Sequence, residues 1–200
     1  MNIKKRIATL ISAIYRQLLL LSQSWTRSYP PGIRKVNARV ISVGNITWGG
    51  TGKTPLVIKL AKDCSNYGKK TAVLIRGYGK DEVEELRKQL PNIPVLVGRD
   101  RIKTAREAIE KYGAEILILD DGFQHLRLGR DLDIVNINAT QPFGPGGLLP
   151  LGTLREPLEH LSRADIFILT KSDIGSKNLH WIHQKIQSVK PNAVIFEAVH

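Results

Sequence analysis

The sequence has a single cysteine, few aromatic residues and no acidic residue before position 63. Cys64 therefore has no disulfide partner within the chain, and such cysteine usage is typical of a reducing compartment. In a chain of 200 residues, 42% apolar and 24% charged residues are ordinary for a globular domain. This composition excludes collagen-like proteins, disulfide scaffolds and wholesale disorder.

Nearly all of the net positive charge comes from one end of the chain. The sequence has 30 Lys and Arg against 18 Asp and Glu, a formal net charge of +12. Residues 1–62 hold 11 of the basic residues and no acidic one, which leaves a net charge of +1 for residues 63–200. The basic residues are mixed with leucine and isoleucine and no stacking platform is visible, so we expect no nucleic-acid partner.

The first 25 residues have the pattern of an amphipathic helix. No uninterrupted run of about 18 apolar residues occurs, which disfavours a bilayer span. No small-residue cleavage site follows either, which disfavours a signal peptide. Instead, apolar side chains recur at helical spacing opposite a polar and basic face. The apolar stripe is Ile3, Ile7, Leu10, Ile11, Ile14, Leu18 and Leu21, and the opposite face contains Lys5, Thr9, Ser12 and Arg16.

Two roles fit such a helix. Apolar side chains beneath a basic rim suit the surface of an anionic bilayer, and the alternative is a helix docked on its own domain. We favour a membrane surface, contacted through residues 1–25. The helix is expected to end before Pro30, so the predicted domains are a membrane-associating helix at 1–29 and a P-loop domain at 30–200.

A glycine-rich turn at residues 44–54 links a predicted strand, 38–43, to a helical pattern. Strand, turn and Gly-Lys-Thr at a helix start form the context that a phosphate-binding loop requires. We expect Lys53 to reach the β- and γ-phosphates and the Thr54 hydroxyl to bind Mg²⁺. The strict pattern has glycine where this chain has Thr47, so a turn that is merely glycine-rich is the alternative. The candidate nucleotide-binding residues are Thr47, Trp48, Gly49, Gly50, Thr51, Gly52, Lys53 and Thr54.

Two adjacent carboxylates, Asp120 and Asp121, end the apolar run of residues 116–119. A P-loop enzyme places a further Mg²⁺ contact at the carboxyl end of a neighbouring parallel strand. The alternative is a solvated turn that begins at Asp-Asp-Gly. His125 follows shortly afterwards, and an isolated histidine is equally compatible with a structural hydrogen bond.

Strand and helix patterns alternate along the rest of the chain. Further strands are predicted at 71–75, 94–97, 132–137, 165–169 and 193–196, and helices at 81–90, 100–112 and 177–189. This alternation predicts an α/β fold of the P-loop NTPase type, with a mostly parallel sheet covered by helices on both faces.

The order of these motifs resembles the tetraacyldisaccharide 4′-kinase (lipid A 4′-kinase) family over about residues 35–175. The motifs that carry the resemblance are residues 43–54, 76–78, 120–125, 130–132, 149–157 and 163–165. It implies transfer of the ATP γ-phosphoryl group to the 4′-hydroxyl of a tetraacyldisaccharide 1-phosphate, a lipid A precursor. The implied cofactors are ATP and Mg²⁺. The implied location is the cytoplasmic face of a Gram-negative inner membrane, as a peripheral or monotopic protein.

The resemblance also implies roles for individual residues. Lys53, Asp120 and Asp121 would be catalytic, and Thr54, Asp120, Asp121 and Glu156 would hold the metal. Arg76, Tyr78, Gln124, His125 and Arg155 would line the substrate or nucleotide site. Threonine at position 47 is usual in that family.

Two features depart from the family's pattern. A segment is missing after residues 76–78, so Asp81 is our candidate for the catalytic base, with a helix N-cap as its alternative. The family's second α/β domain has no counterpart in these 200 residues. The resemblance therefore predicts either a fragment or a shortened relative, and a membrane-docked ATP binder without turnover is an alternative function.

Residues 170–173, Thr-Lys-Ser-Asp, support a different alternative. They resemble a guanine-reading motif, which would make the chain a P-loop GTPase or assembly factor that prefers GTP. Against it, Gly122 comes one position too early after Asp120 for a γ-phosphate switch.

Overall fold

The computed structural model describes residues 8–9, 11–19, 32–77 and 79–199, where seven strands form one sheet in the order β3-β2-β4-β1-β5-β6-β7. The strands are β1 (Arg39–Gly44), β2 (Thr71–Ile75), β3 (Val95–Val97), β4 (Ile116–Asp120), β5 (Leu132–Asn138), β6 (Ile166–Thr170) and β7 (Val194–Ala198). The numbered helices are α1 (Lys53–Asn66), α2 (Lys80–Gln89), α3 (Arg101–Tyr112) and α4 (Leu179–Val189). Short 3₁₀ helices occupy Leu158–Arg163 and Ser176–Asn178. The predicted α/β fold is confirmed.

The chain divides into two compact units. Unit 1 comprises residues 1–30, 45–51 and 135–200, and unit 2 comprises residues 31–44 and 52–134. In unit 2, β1 pairs with β4, β4 with β2 and β2 with β3, all in parallel. In unit 1, β6 and β7 are parallel. The prediction of a mostly parallel sheet is therefore confirmed.

The strands of unit 2 are apolar on both faces because helices cover both. Along β2, Ala72 and Leu74 belong to one buried cluster, and Val73 and Ile75 belong to another. Successive side chains of a strand point to opposite faces, so the two clusters lie on opposite sides of the sheet. Residues of α3 complete the first cluster, and residues of α1 and α2 complete the second.

The core of unit 1 is built around β6. Phe167 and Leu169 of this strand are fully inaccessible to solvent, as are Ile182 and Ile186 of α4. Leu161, in the 3₁₀ helix before β6, is buried as well.

The two helices that follow β3 and β1 begin differently. The N-cap of α3 is Asp100, whose carboxylate accepts hydrogen bonds from the backbone N–H groups of Ile102 and Lys103 at 3.0 and 3.1 Å. At the N-cap of α1, Gly52 has φ 72° and supplies no side-chain cap. The first N–H groups of a helix have no partner within the helix, so the start of α1 presents donors that no capping side chain satisfies.

The N-terminal helix, described at residues 8–9 and 11–19, exposes its apolar side. Ile11, Ile14 and Leu18 are 47%, 51% and 59% exposed, whereas Ser12 on the opposite side is buried. The described part of the apolar stripe is therefore exposed, and the helix contacts its own unit through Ser12. Among the described residues, no helix is both long enough and apolar enough to cross a membrane. The predictions for Tyr78, for the domain boundary at 29–30 and for the remaining residues of this segment lie outside the described residues.

A tight backbone approach at the end of β1 gives a stability prediction. A Cβ added to Gly44 would lie 2.5 Å from Phe123 Cβ and 2.7 Å from the Phe123 backbone nitrogen. We expect Gly44→Ala to lower the free energy of unfolding by about 1–3 kcal/mol, because a buried backbone must shift. Urea unfolding followed by circular dichroism measures this difference. Gly50→Ala is the matched control, since a Cβ there meets nothing within 4 Å, and equal losses in the two variants would contradict the account.

Candidate active site

Lys53 and Asp121 form an ion pair where α1 begins and β4 ends. Lys53 Nζ lies 3.6 Å from Asp121 Oδ1, and their side chains are 17% and 31% exposed. Both residues belong to unit 2. The sequence predicted a phosphate-binding lysine and a metal-binding acid at these positions, and the structure places the two side chains together.

Asp120 is the buried member of the carboxylate pair. It is 3% exposed, and its Oδ1 has no hydrogen-bond partner among the described residues. Burial raises the pKa of the Asp120 carboxyl to about 6; the Asp121 and Glu82 charges add to this rise, and Lys53 opposes it. The carboxyl group therefore lies in a poorly solvated position that favours neutralisation by a cation or a proton.

The turn after Asp120 is held against the end of β1. Asp121 has φ 54°, a conformation that aspartate tolerates better than most residues. The Gly122 N–H then donates to the Val43 carbonyl at 3.0 Å. A Cβ on Gly122 would lie 2.6 Å from Ser42 Oγ, so this close approach requires glycine.

Arg101 supplies a buried positive charge to this end of the sheet. It is 2% exposed, and its guanidinium donates to the Gly98 carbonyl at 3.0 Å and to the Asp120 carbonyl at 3.1 Å. Burial lowers the pKa of Arg101 to about 10, and the charges of Asp120 and Asp121 oppose that shift. The group stays protonated at neutral pH.

Arg130 clamps the turn that carries the carboxylates. Its guanidinium pairs with Asp133 Oδ2 at 2.8 Å and donates to the carbonyls of Gly122 and Phe123, each at 3.5 Å, and to the carbonyl of His125. A planar fork with several donors suits such convergent acceptors better than a lysine would. Arg130 therefore fixes the residue 122–125 turn to the start of β5.

His125 lies in the turn that Arg130 clamps and has a positively charged setting. Burial, followed by the charges of Arg101 and Arg130, lowers the pKa of His125 from 6.5 to about 4. Its Nε2 is buried and has no hydrogen-bond partner in the described part of the chain. The imidazole is therefore neutral at pH 7.

The other predicted residues of unit 2 surround this cluster less closely. Arg76 follows β2 and is exposed, but its positive charge helps to lower the pKa of Arg101. Gln124 is half-buried in the clamped turn. Asp81 lies exposed in the first turn of α2, whose N-cap is Gly79, so Asp81 is not the cap that the alternative predicted.

In unit 1, residues 45–51 form the first part of the glycine-rich loop. The buried Asn45 donates to the Thr47 carbonyl at 2.8 Å and accepts from Arg155 Nη1 at 3.1 Å. The Arg155 guanidinium also lies 5.9 Å from the ring centroid of the exposed Trp48. Arg155 thus holds this part of the loop.

The backbone conformation at position 47 explains why the loop can have threonine there instead of glycine. It is 6% exposed and forms an antiparallel bridge with Leu154. Among the described residues only Asp121 and Lys171 have positive φ without being glycine. Thr47 therefore adopts a conformation that needs no glycine.

Thr51 ends this part of the loop and is also buried. Its carbonyl accepts from Thr170 Oγ1 at 3.2 Å and from Asn136 Nδ2 at 3.4 Å. Gly49 and Gly50, between Trp48 and Thr51, are exposed. The threonine of the guanine-type motif thus serves as a support for the loop.

Glu156 belongs to a buried ion cluster in unit 1. Its Oε2 accepts from His160 Nδ1 at 2.7 Å and from Arg163 Nη2 at 2.9 Å. Burial alone would raise the pKa of Glu156, but the hydrogen bond from His160 and the Arg163 charge outweigh it, and the pKa lies below its ordinary value. Glu156 is therefore a carboxylate at neutral pH; its metal-binding role remains a prediction.

The residues of unit 2 fit a magnesium ion that is shared with phosphates. Mg²⁺ prefers hard oxygen ligands and takes one or two carboxylates besides water and phosphate. Asp120 offers a buried carboxylate oxygen that accepts no hydrogen bond within the described residues, and Thr54 offers a hydroxyl in the first turn of α1. In the described part of the chain, no three His, Cys, Asp or Glu residues are grouped to hold a metal by themselves.

Sequence reasoning missed Arg101, Arg130 and Glu82 as parts of the site. Arg101 was detectable because it lies in the first turn of a predicted helix, where the helix dipole favours acidic residues. A basic residue at that position indicates a role other than stabilising the helix. The clamp by Arg130 depends on carbonyl groups, which no sequence pattern reveals.

The depressed pKa of His125 gives a pH prediction. The unfolded chain binds a proton at this residue near pH 6.5 and the folded chain near 4, so stability present above that window is lost as the pH falls through it. We expect the wild type to lose about 1–2 kcal/mol more than His125→Gln between about pH 7.5 and pH 5. Urea denaturation of both proteins at the two pH values measures this. Parallel losses in the two proteins would contradict a neutral, buried His125.

The comparisons with known proteins match nearly the whole chain to one family. A model of the family "Tetraacyldisaccharide-1-P 4′-kinase" matches residues 5–89 and 81–198. Two relatives, both named tetraacyldisaccharide 4′-kinase, come from Halothermothrix orenii and Syntrophus aciditrophicus. The first is 41% identical over 219 residues, covering 96% of this chain and 56% of the relative. The second is 48% identical over 160 residues, covering 68% and 43%.

A solved structure agrees with these relatives. LpxK from Aquifex aeolicus, crystallised in complex with ATP, superposes with a TM-score of 0.76 at 31% identity. The match covers 94% of this chain and 62% of that one.

The length comparison has two parts. The chain spans about half the length of the curated relatives it matches. The alignment with the Halothermothrix orenii protein is 219 residues long although this chain has 200, so the relative carries residues that this chain lacks within the matched region. The two matched segments of the family model meet at residues 81–89, where the sequence predicts a missing segment. The chain belongs to the tetraacyldisaccharide-1-P 4′-kinase family.

Proposed function

We propose that this chain binds MgATP and transfers its γ-phosphoryl group to the 4′-hydroxyl of a tetraacyldisaccharide 1-phosphate, a precursor of lipid A. The observation that carries the proposal is the Lys53–Asp121 ion pair beside the buried Asp120, in a chain of this family. The shared name of the relatives supports the acceptor.

Phosphate binding is assigned to the start of α1. The N-cap of this helix is Gly52, which has no side chain to cap it, and phosphate groups bind readily at helix N-termini. Lys53 is held by Asp121 at 3.6 Å, a distance long enough for a phosphate oxygen to compete for the ammonium group. The bound triphosphate would thus replace a weak ion pair.

The site stabilises charge on the transferring group. The positive charges of Arg101 and Lys53 attract the Asp120 carboxylate. The positive charge of Arg76 repels that of Arg101. Mg²⁺, held by Thr54, Asp120 and Asp121, would neutralise the charge on the phosphate oxygens. Phosphoryl transfer depends on positioning and electrostatic stabilisation more than on covalent chemistry, and this cluster supplies both.

The acceptor hydroxyl must lose a proton as the new O–P bond forms. Asp81 is the candidate base by resemblance, and it lies in the first turn of α2 next to Glu82, whose charge acts on Asp120. Gln124, the neutral His125 and Tyr78 are assigned to the acceptor sugar.

We assign to the N-terminal helix the role of binding the surface of the membrane that contains the lipid acceptor. Its exposed Ile11, Ile14 and Leu18 recur at helical spacing, and residues 1–62 contain 11 basic residues and no acidic one. An apolar stripe with a basic surround is attracted to an anionic bilayer surface. The chain would act as a peripheral or monotopic protein at the cytoplasmic face of the inner membrane.

Replacement of Lys53 tests the chemistry. We expect Lys53→Met to lower phosphoryl transfer from γ-labelled ATP to the lipid disaccharide 1-phosphate about 100-fold or more, because it removes a charge next to the transferring group. Lys59→Met is the matched control. Lys59 lies on the same helix, is exposed and, among the described residues, pairs only with Asp63 four residues on, and an exposed pair contributes little. Labelling that survives Lys53→Met would contradict the mechanism. If no lipid is labelled while ATP still raises the melting temperature, the chain is a membrane-docked ATP binder without turnover.

A second substitution tests the membrane assignment. We expect the double variant Ile14→Ser, Leu18→Ser to bind anionic vesicles about 10- to 100-fold more weakly, because two exposed side chains lose their apolar contact with the bilayer. Flotation with vesicles of phosphatidylglycerol and phosphatidylethanolamine measures the binding. Ala13→Ser, at an exposed position off the stripe, is the control, and unchanged flotation of the double variant would overturn the assignment.

A further inference from the structure

Two polar side chains dock the N-terminal helix on unit 1. Ser12 Oγ donates to the Leu148 carbonyl at 3.0 Å, and the Tyr15 hydroxyl donates to the Arg155 carbonyl at 2.9 Å. Residues three apart lie on the same face of a helix. The helix therefore contacts its own unit through the face that carries Ser12 and Tyr15, whereas Ile11, Ile14 and Leu18 stay exposed.

The segment that these side chains contact also supports the glycine-rich loop. The Trp48 N–H donates to the Thr153 carbonyl at 2.7 Å, and the Arg155 N–H donates to the Ile46 carbonyl at 2.8 Å. Residues 147–155 are tied to each other as well, since the Leu154 N–H donates to the Gly147 carbonyl at 3.2 Å. A displacement of this segment would therefore displace residues 46–48.

Arg155 is the residue at which the helix and the loop meet. Its carbonyl accepts from Tyr15, and its guanidinium donates to Asn45 Oδ1 at 3.1 Å. Asn45 in turn donates to the carbonyls of Thr47 and Gly49, at 2.8 and 3.4 Å. A continuous path of hydrogen bonds thus runs from the helix to the exposed Gly49 of the loop.

We propose that Tyr15 is a positioning residue that couples docking of the N-terminal helix on an anionic bilayer to nucleotide binding by the glycine-rich loop. The inference rests on the proposed function, because it requires both MgATP binding and membrane docking. A bilayer that holds the helix restricts Tyr15, which fixes Arg155 and reduces the freedom that residues 45–49 lose on binding phosphate. Coupling of this kind is reciprocal, so MgATP also strengthens vesicle binding by the same factor.

The test is a set of calorimetric titrations with MgATP, with and without vesicles of phosphatidylglycerol and phosphatidylethanolamine. For the wild type we expect the vesicles to tighten MgATP binding about fivefold or more. Tyr15→Phe removes only the hydroxyl, and we expect its affinity to be the same with and without vesicles. Tyr67→Phe is the control, since Tyr67 is 85% exposed, and it should behave as the wild type does. A purely structural role for Tyr15 would weaken MgATP binding by one factor in both conditions.

The outcomes separate this inference from the proposed function. Equal tightening of the wild type and Tyr15→Phe by vesicles would overturn the coupling through Tyr15. Wild-type binding that vesicles leave unchanged would overturn the coupling while nucleotide binding stands. A wild type that binds no MgATP in either condition would contradict the proposed function and the inference with it. If Tyr15→Phe does not fold, vesicle flotation of the wild type with and without MgATP decides, and identical flotation overturns the proposal.

Discussion

The candidate site depends on one close backbone contact, between the end of β1 and the turn that follows β4. The Gly122 N–H donates to the Val43 carbonyl, and neither Gly44 nor Gly122 has room for a Cβ. Because the two chain segments approach so closely, Asp121 leaves β4 with φ 54° and its carboxylate turns toward Lys53. Backbone conformations of this kind persist only where surrounding contacts enforce them, and they cluster at functional sites.

Burial moves the charges of this site away from their ordinary behaviour in a consistent way. It raises the pKa of Asp120 to about 6, lowers that of Arg101 to about 10 and lowers that of His125 to about 4. Each shift disfavours the charged form, so burial of these groups costs the protein electrostatic free energy. Groups with strongly shifted pKa values concentrate where ligands bind. A phosphate group and its cation would satisfy the buried charges that the protein leaves poorly solvated.

The parts of the fold that were predictable are those with a local signal. Apolar periodicity located the strands and most helices to within about two residues, and the glycine-rich turn with Asp120 and Asp121 indicated the candidate site. The features that the sequence did not reveal depend mostly on contacts between residues far apart in the chain. Tyr15 meets a carbonyl 140 residues away, Arg155 meets Asn45 across 110 residues, and the Arg130 clamp engages main-chain groups of the turn. Periodicity assigned residues to a face, but it could not say that the helix docks through Ser12 and exposes its isoleucines.

Nucleotide preference tests the central claim most directly, since family membership and the geometry around Lys53 support an ATP-dependent kinase whereas residues 170–173 resemble a guanine-reading motif. A ligand that binds the folded state raises its stability by about 2.7 kcal/mol at 100 times its dissociation constant. The measurement is the melting temperature with MgATP, with MgGTP and with either nucleotide in excess EDTA. The account predicts the larger rise with MgATP and a smaller one when EDTA removes the cation. A larger rise with MgGTP, or a rise with ATP that EDTA leaves unchanged, would contradict it.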